Sequence, residues 1–272
     1  MSVAVQVVTD LAAPRRWLRS PVAAVGSAPE LLASAALLPG IVLAIATAWV
    51  LIALTQLSGT AALLHHHALI EHGPPLWIAV PAFMAAWLVM IVAMMVPASL
   101  PAIVRGSSLG RSPRSAAPLM PGASTRRFLA TYVLVWLGFG LAVFFGDGAL
   151  HRIVDATPWL GARPWLISAS VIGFAGLYQL LPIKRRSLDA CRHPAGRDPA
   201  AGLEHALACL ESSGALMVLM FAEGFSSPWP MLGLTAVMVY EATGRHGHIA
   251  ARAVGVLLLA LALGVVLSGT SI

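Results

Sequence analysis

The stretch LWIAVPAFMAAWLVMIVAMMVPASLPAI, Leu76 to Ile103, runs without a single charged residue. About 20 apolar residues in a helix cross the hydrocarbon of a bilayer, so this run is long enough to span with tilt to spare. Apolar residues occupy every face rather than one stripe, which is the pattern of a helix with no watery side. Pro81, Pro97 and Pro101 interrupt it, and each removes a backbone donor. The expected result is a kinked span whose freed carbonyls are satisfied inside a bundle.

The same reading extends along the chain. Leu31 to Leu54 forms an earlier apolar run, and others follow at 128–148, 165–183, 206–224, 229–243 and 249–268, the sixth segment being short. The first run is too long for a signal-peptide core and ends at no small-residue cleavage site. Hydrophobic residues make up 58% of the 272 residues and charged residues only 10%. Mean hydropathy is +0.84. A soluble domain carries roughly 25% charge, so a soluble enzyme is excluded. The expected fold class is all-α, a polytopic transmembrane helical bundle of seven spans, with residues 1–30 as a cytoplasmic leader and 31–272 as the membrane domain.

Charge placement sets an orientation. With the N-terminus inside, fifteen of the seventeen Lys and Arg residues fall in inner segments, and only Arg152 and Arg163 fall outside. That bias follows the positive-inside rule and gives N-in, C-out topology in the inner membrane of a bacterium. The net charge of +6 belongs to these loops, so nucleic acid is not an expected partner. The loop 104–127, rich in Arg, Ser, Pro and Gly, reads as a linker drawn to anionic headgroups. The lipid bilayer and a second membrane protein are the expected partners.

Chemistry concentrates between Lys184 and Glu223. Both cysteines lie there, as Cys191-x-His193 and then His205-x-x-x-Cys209. Two thiols and two imidazoles are donors suited to zinc or copper(I), two from a loop and two from a helix. An ordinary interfacial loop beside a small buried cysteine accounts for the same residues. At 100° per residue, His205, Cys209, Ser212, Ser213, Met220 and Glu223 share one face of their helix, with Met217 beside them. Such a ribbon serves a metal or proton path, or equally the small-residue packing of membrane helices. Glu211, Glu223 and Glu241 lie in or near apolar spans, where an acid is normally paired, protonated or coordinating. Glu211 falls opposite the ribbon, within reach of an Arg of the 184–197 loop.

Met90, Met94 and Met95 precede Pro97, and their thioethers either favour copper(I) or fill gaps in a core. On the outer side, His65, His66, His67, Glu71 and His72 form one polar cluster, and Asp147, His151 and Asp155 repeat just past the third span. These either capture a divalent ion or are merely solvated. Zincin helices, phosphate loops and nucleophile elbows are missing from the sequence.

Three runs carry a resemblance: WLVMIVAMMVPASLPAI (Trp87 to Ile103), GLYQLLPIKRRSLDACRHP (Gly176 to Pro194) and ACLESSGALMVLMFAEGF (Ala208 to Phe225), followed by Met231 and Glu241. Over about residues 76 to 245 the chain resembles a bacterial family of predicted metal-binding integral membrane proteins, some labelled copper chaperones. The resemblance implies roles for Met90, Met94, Met95, Pro97, Tyr178, Gln179, Lys184, Cys191, Cys209, Met217 and Glu241. Family members place further cysteines where this chain has Ser187, Ser212 and Ser213, and hydroxyls are poor ligands for copper(I).

The expected function is therefore to hold or deliver a soft metal, copper or zinc. The candidate ligands are Cys191, His193, His205, Cys209, Met217, Met220, Met94, Met95, Glu223 and Glu241. The rival readings are an accessory subunit of a larger membrane complex and a metal- or proton-coupled transporter.

Overall fold

The computed structural model describes residues 28–60, 74–108, 123–192, 201–222 and 228–270, and side chains within 38–60, 74–103, 127–192, 202–222 and 228–270. These residues form helices α1 (Ala28–Leu57), α2 (Leu76–Met90), a π-helical segment (Ile91–Met95), α3 (Val96–Ser108), α4 (Ala123–Asp155), α5 (Pro158–Gly161), α6 (Pro164–Leu180), α7 (Pro182–Arg192), α8 (Ala201–Ala222), α9 (Pro228–Thr243) and α10 (Gly247–Ser268), with no strand among them. Proline opens α5, α6, α7 and α9, at the position where its missing N–H has no intrahelical partner to lose.

Five helices are long and apolar enough to cross a membrane: Leu38–Leu57, Leu76–Ile103, Arg127–Asp155, Gly202–Ala222 and Gly247–Ser268. A sixth arises if α6 and α7 count as one span broken by a 67° bend. The remaining segment of the expected seven is α9, which at 16 residues falls short of a full crossing.

The bend has a local cause. Leu181 precedes Pro182, whose ring disfavours helical geometry at the residue before it, and Leu181 is extended at φ −68° and ψ 148°. Beyond it the chain resumes as a helix, not the expected loop. Lys184, Ser187, Leu188 and Cys191 line the buried face of that helix at helical spacing. Lys184, counted among the inner-loop charges by its sequence position, is fully enclosed.

The expected kink in the second span is a π segment, closed by the Val96 N–H on the Ile91 carbonyl five residues back. Pro97 has no N–H for the Ala93 carbonyl, and that oxygen instead accepts the indole Nε1 of Trp49, from α1, at 3.2 Å. Met90, Met94 and Met95 are all buried here, against α1, α3 and α9.

Close backbone approach holds the rest together. A Cβ on Gly255 of α10 would stand 2.9 Å from the Gly176 carbonyl of α6, and one on Gly140 of α4 would stand 2.5 Å from the Trp87 ring. Small residues let helices approach without a hydrophobic driving force between them, the packing mode of apolar surroundings. Trp87 adds a hydrogen bond from its Nε1 to the Trp136 carbonyl at 2.9 Å.

Candidate metal centre

The face of α8 named in the sequence turns inward. His205, Cys209, Ser212, Ser213, Met217 and Met220 are all buried, while Leu203, Leu207 and Glu211 lie on the exposed side. Enclosure is supplied by α4, α7 and α6, which pack on α8. From Ser212 to Met217 the helix is buried on every face, so it runs through the interior of the bundle.

Cys191 reaches this face from the last turn of α7. Its thiol neighbours that of Cys209, and both cysteines are free. The remaining partners of Cys209 come from two other helices. The Tyr132 hydroxyl of α4 lies 3.1 Å from its sulfur, and the Ser99 hydroxyl of α3 lies 3.8 Å away. Tyr132 also donates to the Met95 carbonyl at 3.3 Å, which links the cysteine to the π segment. His205 Nε2 stands 3.3 Å from Ser99, and its ring packs against both Phe128 and Tyr132, which also stack on each other. Four helices thus converge on one sulfur.

Beside the thiols lies a buried ion pair. Lys184 Nζ donates to Glu241 Oε2 at 2.6 Å and to the Ser212 carbonyl, and Gln179 Nε2 donates to Glu241 Oε1 at 2.7 Å. Lys184 is 0% exposed and Glu241 1%. Two buried charges lose several kcal/mol of hydration each, which only close pairing and full hydrogen bonding offset. Both Glu241 oxygens are therefore committed to protein partners. Arg192 fastens the other end, donating to the Glu241 carbonyl from Nε at 2.9 Å and to the Gly244 carbonyl at 2.8 Å. These bonds cap the C-terminus of α9, where carbonyls lack helical partners.

Several expectations fall elsewhere. His193, Glu223 and the cluster from His65 to His72 lie outside the described residues. Asp147, His151 and Asp155 belong to the last turns of α4 instead of following it, and His151 Nδ1 is 3.7 Å from Asp147 Oδ1. The Glu211 carboxylate accepts a hydrogen bond from Ser187 of the 184–197 segment at 2.8 Å. Met231 and Met238 of α9 join the same buried core as Met94, Met95, Met217 and Met220. Tyr132 and Ser99 were not foreseen, and no local spacing pointed to them.

A family model described as copper chaperone, PpoB2, matches residues 84–265. This chain belongs to the PpoB2 family. The PpoB2 match starts within α2 and continues through most of α10, beyond Arg245, where the sequence resemblance ended. It takes in the π segment, both cysteines, Lys184 and Glu241, and leaves α1 outside. Curated proteins and solved structures give no match.

The PpoB2 description names copper and not zinc, and the donors can be tested against each. Among the described residues no three His, Cys, Asp or Glu side chains converge as a metal-binding group. Structural zinc takes four such ligands, so zinc finds no support here. Copper(I) is softer and accepts low coordination by sulfur, for which two neighbouring thiols are a fitting donor pair, and the same core holds the thioethers of Met94, Met95, Met217 and Met220. When bound, copper(I) would supply a closed-shell soft acid held by Cys191 and Cys209.

Proposed function

We propose that this chain is a helical protein of the bacterial inner membrane that holds copper(I) at Cys191 and Cys209 and passes it to a second membrane protein. The observation that carries the reading is the meeting of two free thiols, brought by α7 and α8 into the buried core beside Tyr132, Ser99 and His205. Membership of a family described as copper chaperone supports it. Met94, Met95, Met217 and Met220 contribute neutral sulfurs in the same core, and His193 and Glu223 extend the donor set along the chain. Glu241 serves as the counter-charge of Lys184.

The long apolar helices support insertion in the bilayer. Counting α6 with α7 as one broken pass and α9 as a short one yields seven, N-terminus inside. Lys and Arg placement favours that orientation and puts the thiols toward the reducing cytoplasm, where they stay available as ligands.

Metal content after purification in mild detergent tests the proposal. Wild type retains copper, and the Cys191→Ser/Cys209→Ser variant does not. Negligible copper in both rejects the reading. The break at Leu181 and the π segment favour transport as a second reading, because discontinuous helices line transporter sites. Copper flux into proteoliposomes separates it from custody without passage.

A further inference from the structure

The polar bonds that hold α7 grade from dry to wet along its length. Next to the bend, Lys184 is fully enclosed and pairs with Glu241 at 2.6 Å. One turn on, Ser187 donates to the carboxylate of Glu211, on the exposed side of α8. Asp189 Oδ1, its side chain 61% exposed, meets His248 Nε2 of α10 at 2.8 Å. At the tip the half-buried Arg192 donates to the Glu241 and Gly244 carbonyls. The apolar part of the buried face of α7 is only Leu188 and Cys191. A segment with few buried apolar contacts, held by bonds that water can replace, opens at low cost while the rest of a fold stays closed.

Geometry confines such an opening to the tip. Leu181, extended at φ −68° and ψ 148°, joins α7 to α6. Cys191 lies ten residues beyond it, about 15 Å along the helix. A rotation of about 30° at Leu181 carries Cys191 by about 8 Å and Lys184 by only about 2 Å, which the long lysine stem can follow without leaving Glu241. The turn from α9 to α10 is shaped to receive the tip. Gly247 seats Arg192, since a Cβ there would overlap both the guanidinium and the Glu241 carbonyl, and His248 beside it meets Asp189. With the tip seated, Cys191 is 4% exposed and Cys209 1%.

We propose that α7 is a hinged strap that opens at its Cys191 end. Leu181 is the hinge, Lys184 the anchor that stays docked, and the α9–α10 turn a clasp closed by Arg192 and by Asp189 with His248. Opening brings the Cys191 thiol to water and uncovers the face of α8 beneath it; closing buries both. The inference concerns access to the thiols, whatever they hold, so it stands or falls apart from the copper reading.

Alkylation by N-ethylmaleimide tests it on the metal-free, detergent-solubilised full chain, which has two cysteines in all. Mass spectrometry of the Cys191 peptide gives the rate. A thiol that reacts only when open is modified in proportion to the open population, so weakening the clasp raises the rate by the same factor. Arg192→Gln removes charge-assisted bonds and should accelerate the reaction ~10- to 100-fold. His248→Ala removes an exposed pair and should accelerate it ~2- to 5-fold. Gly247→Ala unseats Arg192 and serves in place of Arg192→Gln if that variant does not fold. Gly140→Ala, at the contact of α4 with Trp87, weakens the bundle elsewhere and should leave the rate unchanged. Clasp variants that react no faster than wild type overturn the proposal. So does an equal acceleration in Gly140→Ala, which marks opening of the whole bundle, or a wild type that reacts as fast as the denatured chain.

Discussion

Glu241→Gln isolates the energetic role of the buried pair. The substitution keeps size and shape but removes the carboxylate charge bonded to Lys184, which is wholly enclosed and 2.6 Å from Glu241 Oε2. The new amide has one acceptor for two donors, Lys184 Nζ and Gln179 Nε2, so the Gln179 amide must turn to accept from its NH2 group, and the lysine is left with a neutral acceptor in place of a charged one. Breaking one half of a buried ion pair costs about 3–5 kcal/mol, because the remaining charge stays desolvated. That is a large share of a typical folding stability of about 5–15 kcal/mol. Lys184→Met/Glu241→Leu removes both charges and should lie within about 1 kcal/mol of wild type or exceed it, since apolar replacement of a whole pair is often neutral or stabilising. Unfolding in mixed micelles, followed by helical circular dichroism, measures both, and the single Lys184→Met completes the cycle. A Glu241→Gln variant within about 1 kcal/mol of wild type, or a double variant as unstable as the singles, would refute the pairing as described.

Gly255→Ala places a Cβ 2.9 Å from the Gly176 carbonyl, so α6 and α10 must separate; a loss of about 1–3 kcal/mol in the same assay is expected. Gly140→Ala drives a Cβ to 2.5 Å from the Trp87 ring, and should destabilise by a similar ~1–3 kcal/mol and shift tryptophan emission as that indole loses its bond to Trp136. Cys191→Ser/Cys209→Ser should abolish retained copper while the helical signal persists, which metal analysis and circular dichroism together decide. Ser212→Cys restores a thiol one turn from Cys209 and should tighten copper(I) binding by ~10-fold or more in competition titration, softer donors being preferred.

Whatever depends on local periodicity was readable. The apolar runs located the long helices, and the 100° spacing on α8 identified its buried face, because a helix records its environment every three or four residues. The turn between α9 and α10, at 244–246, falls within the expected break of 244–248. What escaped depends on partners far along the chain. Lys184 looks like one more loop charge until Glu241, 57 positions away, is seen to neutralise it. Tyr132 and Ser99 meet Cys209 across 77 and 110 positions, and no local spacing ties them to it. A tyrosine inside an apolar run is the one hint the sequence offered, since a buried hydroxyl needs a partner. The π segment escaped for a different reason: proline at position 97 forecast a disturbance, but whether it becomes a kink or a wide turn is decided by the Trp49 indole arriving from α1.

That wide turn sets the phase of everything after it. It accommodates one residue more than an α-helical turn, so α3 emerges rotated relative to a continuous α-helix. Deleting one residue between Ile91 and Met95 would return the segment to ordinary winding and swing α3 by about 100°. Ser99 would then face away from Cys209 and His205, and both would lose a partner though every residue of the contact were still encoded.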